Sequence, residues 1–363
     1  MSRIPLLPLL ALLLGPALVV GPAPAARAAD PAIEVIGAGA SFPAPALEAW
    51  AERYSHETGV RLLYRSVGSA EGIRRVTARS ADFAVTDVPL TQAELSQDDL
   101  LQFPLLVGAV APVVNVPGIV DGQLRLDGAL LADIYLGRIT RWDADAIKAL
   151  NPGRELPALP IVVVHRGDGS GTSFVFTYYL SATSAAWQDR LGIGSRLVWP
   201  IGIAATGSEG VAQAVHDTVG AIGYIETAYA AGRGLATVQV RNKAGHYARP
   251  GRAGTQAALA AARWTRAGYY EILVDRDGDD VWPIVGVSFV LIHRRQEVRA
   301  DALATLNFLR WIYARGGEIA QPLQYVTLDD AALVARIEAS WTEMRDGDGR
   351  ALWSAAPGSR ERQ

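Results

Sequence analysis

The segment that most constrains this chain is residues 165–174, which read His-Arg-Gly-Asp-Gly-Ser-Gly-Thr-Ser-Phe. The apolar, β-branched run 159–164 before it predicts a buried strand, and the run 173–180 after it fits a buried helix. Glycines at positions 167, 169 and 171 permit a tight turn between the two. A strand that passes through such a turn into a helix directs unpaired main-chain N–H groups and the positive end of the helix dipole towards one point.

The side chains of this turn favour an oxyanion as the ligand. Arg166 supplies a guanidinium group, Asp168 can hold that group in place, and Ser170 and Thr172 add hydroxyls. The turn lacks the Lys of a P-loop, the outer glycines of a hydrolase elbow and the third glycine of a Rossmann turn. An ordinary glycine-rich turn would show the same glycines, so the pattern leaves two interpretations open: anion binding without an attached reaction, or a purely structural turn.

Residues 1–28 have the pattern of a cleavable signal peptide. Arg3 precedes a mostly apolar run, 6–20, that is broken by two prolines, and Ala26-Arg27-Ala28 gives a small-x-small cleavage pattern. The sequence contains no Cys, which excludes a lipid anchor, disulfides and thiolate metal sites. We therefore expect a protein exported to the periplasm, without a lipid anchor and without direct insertion into the membrane.

The composition of the expected mature chain bounds its architecture and its partners. About 335 residues are enough for two lobes with separate cores. Without Arg3 and Arg27 the chain has 32 basic residues against 37 acidic ones, a net charge of −5, which disfavours nucleic acid as a partner. The five His are scattered, and the segment 275–280 starts like a calcium loop but lacks the required glycine and glutamate. We expect no metal and no cofactor.

Two further segments repeat the order of strand, glycine turn and helix. The strand near residue 35 leads to Ser41, the strand 60–64 leads to Ser69, and a short strand at 81–85 ends in Thr86-Asp87. Strands that alternate with helices predict α/β layers, in which ligands lie beyond the carboxyl ends of the strands. Three such turns in one chain suggest a single oxyanion held between two lobes.

Two long apolar stretches, 103–116 and 284–293, are suited to cross between these lobes. They predict one lobe from residues 29–107 and 287–345 and a second from residues 108–286, followed by a polar tail at 346–363. In each lobe we expect a mixed, largely parallel sheet flanked by helices.

Several motifs, in the same order along the chain, make this sequence similar to a known family. It resembles the PstS family, the periplasmic phosphate-binding proteins of bacterial ABC phosphate importers. The resemblance covers nearly the whole expected mature chain, and the Arg-x-Asp-Gly-Ser-Gly-Thr segment is specific. The motifs that carry it lie at residues 37–45, 68–69, 82–90, 166–174, 199–202, 220–224 and 282–284.

The resemblance implies a two-lobed periplasmic-binding-protein fold of type II-like topology, with two crossing strands. It also implies no catalytic residue, inorganic phosphate as the ligand, permease subunits of an ABC importer in the inner membrane as partners, and a monomer. Asp87 would accept a hydrogen bond from a protonated phosphate oxygen, and Asp168 would lock Arg166. The implied phosphate contacts are Ser41, Phe42, Ser69, Asp87, Arg166, Ser170, Gly171 and Thr172.

The sequence departs from the family pattern at three places. Ser41 replaces a more usual Thr, and Thr86 stands where Ser is common; both changes keep the hydroxyl. Ala70-Glu71 stands where Ser-Gly is usual. A carboxylate beside Ser69 would repel an anion if it pointed inward, so we expect Glu71 on the solvent side of its helix.

Two alternatives to phosphate import follow from the same residues. One is a receptor or sensor for a related tetrahedral oxyanion. The other is a secreted phosphatase, because Ser170, His165 and Asp168 are the residue types of a catalytic triad. Their closeness within one strand and turn disfavours triad geometry, and an activity assay with an aryl phosphate ester would separate an enzyme from a receptor.

Overall fold

The computed structural model describes residues 33–354, so the predicted signal peptide lies outside the described residues. Thirteen strands run through this part of the chain: β1 Glu34–Gly39, β2 Arg61–Ser66, β3 Phe83–Thr86, β4 Leu100–Asn115, β5 Arg125–Leu126, β6 Val162–Arg166, β7 Ile203–Ala205, β8 Ala221–Glu226, β9 Ala236–Thr237, β10 Gln239–Arg241, β11 Tyr247–Ala248, β12 Val285–His293 and β13 Val326–Thr327.

The described residues also form thirteen α-helices, which lie between and after the strands. They are α1 Ala44–Thr58, α2 Ser69–Thr77, α3 Gln92–Gln97, α4 Gly128–Tyr135, α5 Asp145–Leu150, α6 Gly171–Thr183, α7 Ala185–Arg190, α8 Gly207–Asp217, α9 Thr227–Arg233, α10 Arg252–Leu259, α11 Arg299–Arg315, α12 Gly317–Ala320 and α13 Ala331–Ser340. Single 3₁₀ turns occur at Ala267–Tyr269 and Trp341–Glu343. The α/β class predicted from the sequence is confirmed.

The main sheet has the strand order β2-β1-β3-β12-β4-β8-β6-β7. We call β1, β2, β3 and β12 the first half-sheet and β6, β7 and β8 the second half-sheet. Within the first, β1 is parallel to β2 and β3, and β12 is antiparallel to β3. Within the second, β6 is parallel to both β7 and β8. Both half-sheets are therefore mostly parallel, as expected for strands joined through helices.

Strand β4 belongs to both half-sheets. Residues from Leu100 to Ala109 pair with β12, whereas residues from Val110 to Asn115 pair with β8. The indole N–H of the fully buried Trp282 lies 3.0 Å from the carbonyl oxygens of both Val110 and Ile284, so one side chain ties β4 to the residue before β12. The lobe boundaries themselves, at 107/108 and 286/287, stay a prediction.

Local signals in the sequence account for several helix ends. Thr91 and Glu94 form a capping box at α3, Asp330 caps α13, and Gly59 ends α1 in the left-handed conformation. Helix α5 begins at Asp145. Before it, the N–H of Trp142 donates to the carbonyl oxygen of Leu159, beside a bridge between Arg141 and Pro160, so Trp142 stays outside the helix.

The first part of the predicted polar tail packs onto the rest of the chain. Arg299 donates to the buried Asp346 at 2.8 Å, and Leu352 is buried. The ring of Trp353 meets that of Trp341 edge-on, with centroids 5.1 Å apart. None of the described helices is long and apolar enough to cross a membrane.

Candidate functional site

The three glycine turns predicted from the sequence meet at the carboxyl ends of β1, β2 and β6. Gly171 N–H donates to Ser69 Oγ at 3.1 Å, and Arg166 Nη1 donates to Ser41 Oγ at 3.0 Å. Each of these bonds joins a residue that follows the first half-sheet to one that belongs to or follows the second. All four residues are buried.

Arg166 and Asp168 form a bidentate ion pair, as predicted. Arg166 Nε lies 2.7 Å from Asp168 Oδ1, and Nη2 lies 2.5 Å from Oδ2. Burial lowers the pKa of Arg166, but its bonds to Asp168 more than offset this, so the pKa is raised and the charge is secure. Burial also acts to raise the pKa of Asp168, while the bonds from Arg166 and from Gly207 N–H bring it below its usual value. The pair therefore stays ionised.

Asp87 lies in the buried centre of the site. Its Oδ1 accepts a hydrogen bond of 2.6 Å from Ser288 in β12, and its Oδ2 has no protein partner within residues 33–354. Burial raises the pKa of Asp87 to about 8, helped by the charge of Glu226 and opposed by Ser288 and Arg166. Near neutral pH this carboxyl group therefore carries a proton over most of the population.

Phe42 fixes the turn after β1 through its side chain. Its ring is fully buried where the two crossing strands come together: a Cβ atom at Gly108 or at Gly286 would lie 2.9 Å from it. Its carbonyl oxygen accepts a 2.5 Å bond from Tyr325. With the ring and the carbonyl both held, the main-chain N–H groups of this turn have a fixed direction.

Four predicted contact residues offer main-chain N–H groups that bond to no acceptor in the described part of the chain. These residues are buried, and they lie at all three turns: Ser41, Phe42, Ser69 and Thr172. A buried N–H group without an acceptor is rare because it costs free energy. The four donors are therefore suited to receive the oxygen atoms of an anion.

Ser170 has a different role in this arrangement from that of its neighbours. Its Oγ caps α6 by accepting from Ser173 N–H at 3.1 Å, and its own N–H donates to Ser195 at 2.8 Å. The hydroxyl of Thr172 donates to Glu226 at 2.7 Å. The helix start thus leaves Thr172 N–H as the donor without a protein acceptor.

Three polar residues of the site were missed in the sequence. Ser208 N–H and Oγ lie 3.1 and 2.9 Å from Ser41 Oγ, Ser288 contacts Asp87, and the fully buried Glu226 ends β8. In α/β sheets ligands lie beyond the carboxyl ends of the strands, and this signal could have identified two of the missed residues. Ser208 and Glu226 both lie at or just after the carboxyl end of a strand in the second half-sheet.

Glu71 points away from the site, as expected. It accepts hydrogen bonds from Arg74 at 2.6 and 2.7 Å and from Arg75 at 2.8 Å, both on its own helix α2. The two arginines lower the pKa of Glu71 to about 2. The carboxylate beside Ser69 is thus engaged at the surface and does not oppose an anion directly.

Ser170, His165 and Asp168, the three residues of the possible catalytic triad, each bond to a different partner. The ring of His165 stacks on Trp199, with centroids 4.9 Å apart, and its Nδ1 lies 3.1 Å from the carbonyl oxygen of Arg166. Ser170 caps a helix and Asp168 holds Arg166, so no Ser–His–Asp series is formed. In residues 33–354 no group of three His, Cys, Asp or Glu side chains could hold a metal ion.

Comparisons with known proteins agree with this geometry. A model of the PBP superfamily domain matches residues 24–315. The chain is 42% identical over 321 residues to the phosphate-binding protein PstS of Pasteurella multocida, which covers 88% of this chain and 93% of the relative. It is 40% identical over 313 residues to the PstS of Haemophilus influenzae, covering 86% and 93%.

Solved structures resemble the chain in fold. A high-affinity periplasmic phosphate-binding protein (PfluDING) bound with phosphate matches with a TM-score of 0.70 and 22% identity, over 85% of this chain and 94% of that one. A phosphate-binding protein from Stenotrophomonas maltophilia matches with a TM-score of 0.65 and 21% identity, over 84% and 93%. The predicted two-lobed fold is thereby confirmed.

Proposed function

Because the chain belongs to the PstS family of phosphate-binding proteins, we propose that it captures inorganic phosphate between its two lobes and delivers it to an ABC importer. The observation that carries this proposal is the set of four buried N–H groups without protein acceptors, at turns that Arg166 joins across the half-sheets. The charge of Arg166, several neutral donors and the unpaired carboxyl oxygen of Asp87 suit a tetrahedral oxyanion that keeps a proton.

The roles of the individual residues follow from their bonds. Ser41, Phe42, Ser69 and Thr172 donate main-chain N–H groups, and Arg166 supplies the charge while Asp168 orients it. Asp87 Oδ2 shares one proton with a phosphate oxygen. Gly171 allows the close approach of the helix start, and Ser170 acts mainly by capping that helix.

Phosphate itself is the ligand that we propose, and a calorimetric titration tests it. Phosphate should bind at micromolar concentration or below, and sulfate should bind at least about tenfold more weakly at pH 8–9, since a matching hydrogen bond distinguishes the two. Stronger binding of sulfate than of phosphate would instead identify a receptor for another oxyanion.

The protein acts as a receptor rather than as an enzyme. The separate bonds of Ser170, His165 and Asp168 support this, because none of them activates a nucleophile. The assay measures hydrolysis of an aryl phosphate ester by protein whose phosphate binding has been verified by titration. Turnover that is lost in Ser170→Ala would contradict the proposal.

The periplasm is the proposed location, and the permease subunits of an inner-membrane importer are the proposed partners. The proposal rests on the family and on the signal pattern in residues 1–28. Mass spectrometry of the exported protein should find Ala29 as the first residue. Retention of residues 1–28 in the periplasmic fraction would contradict it.

A further inference from the structure

Glu226 is a buried carboxyl group at the binding site whose presence the functions assigned so far do not explain. It is the last residue of β8, it pairs with Val110 at the point where β4 passes between the half-sheets, and its exposed fraction is 0%. Oε1 accepts from Thr172 Oγ1 at 2.7 Å, and Oε2 has no hydrogen-bond partner in residues 33–354. An ionised carboxylate in such a position is costly, and a second negative charge placed beside it increases that cost.

The charges around Glu226 leave it without a compensating cation. Arg166 is the one cation among the groups that face it, and that charge is already matched by the two bonds to Asp168. Asp87 is a second buried carboxyl group nearby, and burial raises the pKa of both. The groups that face Glu226 are Arg166 in β6, Thr172 in α6, Ser208 in α8, Asp87 after β3, Tyr229 in α9 and Tyr325 before β13.

Thr172 shows how Glu226 acts on the donors of the site. A hydroxyl has one proton to donate, and that of Thr172 is directed to Glu226. The lone pairs of the same oxygen face Arg166 Nη1, which lies 3.5 Å away. The hydroxyl thus does not donate to an anion, and the main-chain N–H of Thr172 remains for that purpose.

An anion that enters this site adds negative charge beside two carboxyl groups in a water-poor interior. If Asp87 and Glu226 were both ionised, the groups named above together with Asp168 would carry two net negative charges before the ligand arrived. Like charges in a low dielectric repel strongly, so the added anion favours the uptake of a proton by a carboxyl group there. Asp87 shares its proton with the ligand, which leaves Glu226 as the group that must be neutralised from outside.

Resting on the phosphate-binding function proposed above, we propose that Glu226 takes up a proton from solvent as the anion binds. The site then accepts phosphate together with one proton on Glu226, in addition to the proton shared at Asp87. No bond other than that to the proton is formed or broken. The consequence is a phosphate affinity that falls with rising pH more steeply than the ionisation of phosphate and of Asp87 would require.

The first test compares the pH dependence of phosphate affinity in the full chain and in Glu226→Gln. The amide keeps the acceptor for Thr172 but cannot ionise. The ionisation of phosphate is common to both proteins, and the charge of Glu226 also acts on Asp87. The ratio of the wild-type Kd to the variant Kd therefore reports Glu226 together with its coupling to Asp87. We expect this ratio to rise by about tenfold or more between pH 5.5 and pH 9, approaching tenfold for each pH unit at the alkaline end. Glu318→Gln, an exposed glutamate in α12, should give a constant ratio.

A constant ratio for Glu226→Gln would overturn the proposal, since a merely structural role would shift affinity equally at every pH. If wild-type protein fails to bind phosphate at all, the proposed function itself fails, and the two failures are thus distinguishable.

The second test needs no variant and so does not depend on the folding of Glu226→Gln. Glu226 is the one fully buried glutamate among the described residues, so a protonated glutamate at pH 8 can be assigned to it. Infrared difference spectra of wild-type protein labelled with ¹³C-glutamate should gain the carbonyl stretch of a protonated carboxyl group when inorganic phosphate is added. A difference spectrum without that isotope-shifted band would overturn the proposal.

Discussion

Arg166 carries the only full positive charge among the proposed phosphate contacts, and its side chain is 1% exposed. At this depth an anion is not screened by water, so the guanidinium group cannot be replaced by solvent. Asp168 neutralises part of its field but fixes its direction, with two bonds that leave Nη1 directed towards Ser41.

Replacement of Arg166 should therefore weaken phosphate binding without abolishing it. We expect Arg166→Ala to lose about 1.5–3 kcal/mol, roughly 10- to 150-fold in Kd, the range for a hydrogen bond to a charged group. Isothermal titration calorimetry measures this. Arg138→Ala, which removes an exposed ion pair with Asp133, is the control and should bind normally.

Besides its two bonds from Arg166, Asp168 accepts a third hydrogen bond, from Gly207 N–H at 3.2 Å, which the sequence did not predict. Addition of Asp168→Asn to Arg166→Ala should therefore cost less than about 1 kcal/mol further, the scale of one neutral hydrogen bond. A larger additional loss would show that Asp168 contacts the anion or holds α8 in a way that binding requires.

Asp87 gives the site a selectivity that depends on pH. Because burial raises its pKa to about 8, the carboxyl group is mostly protonated at pH 7 and mostly ionised at pH 9. The protonated form can donate to sulfate, whereas the ionised form only accepts and opposes it. Phosphate brings its own proton and matches the ionised form.

Discrimination between phosphate and sulfate should thus increase as pH rises through about 8. From pH 7 to pH 9 we expect the ratio of sulfate Kd to phosphate Kd to rise about tenfold in the wild type. In Asp87→Asn the ratio should be lower at pH 9 and nearly independent of pH. Competition titrations at the two pH values provide the measurement, and an equal ratio at both in the wild type would contradict this role for Asp87.

Among the elements of the fold, a helix start is predicted from the sequence much better than a short strand. The β-branched run, the glycines and the apolar run 173–180 predict a strand, a turn and a helix in this order, and α6 begins at Gly171, two residues before the predicted run. Strand β7 has only three residues, of which two are exposed, so no apolar pattern marks it. Ser208 was missed for that reason.

Glu226 was missed although the family motif at residues 220–224 lies just before it. Its sequence context, a buried strand that ends in an acidic residue, fits a helix cap as well as a binding site. Only the strand order, which brings β8 between β4 and β6, places this carboxyl group beside Thr172. The side-chain pattern along one strand does not predict the order of the strands in the sheet. Site residues that are brought together by this order can therefore be identified only from the structure.

At Gly171 the start of α6 packs closely against the turns after β2 and β3. A Cβ atom there would lie 2.4 Å from Asp87 Oδ2 and 2.7 Å from Ser69 Oγ, closer than real contacts allow. Gly171→Ala should therefore weaken phosphate binding by at least about tenfold, because the displaced residues include proposed contacts.

The matched control for Gly171→Ala is Gly232→Ala in α9, where an added Cβ meets nothing within 4 Å. It should bind normally and gain up to about 1 kcal/mol of stability from helix propensity. Calorimetry and urea unfolding of both variants give the comparison. Normal phosphate affinity in Gly171→Ala would show that the close approach is not needed.

In the molecule as a whole, one strand, β4, pairs with both half-sheets and so sets their relative position. β4 changes partner from β12 to β8 between Ala109 and Val110, so this one strand links the two half-sheets. Polar contacts join opposite sides of the site, among them Ser69 Oγ with Gly171 N–H, Ala70 N–H with Gly169 at 3.2 Å, and Arg166 with Ser41. Such contacts separate at little cost when water replaces them.

A ligand that bonds to both sides should therefore shift the molecule towards its closed form. We expect the radius of gyration from small-angle scattering to fall when phosphate is added to the wild type, because the closed form alone allows Arg166 and the N–H donors of the first half-sheet to share one anion. Equal ionic strength of sulfate at pH 9 should leave the radius unchanged. Gly171→Ala, at phosphate concentrations that saturate it by calorimetry, should contract less, since its added Cβ keeps the turns apart. If saturating phosphate leaves the wild-type radius unchanged, the cross-contacts persist without ligand and the lobes do not close around it.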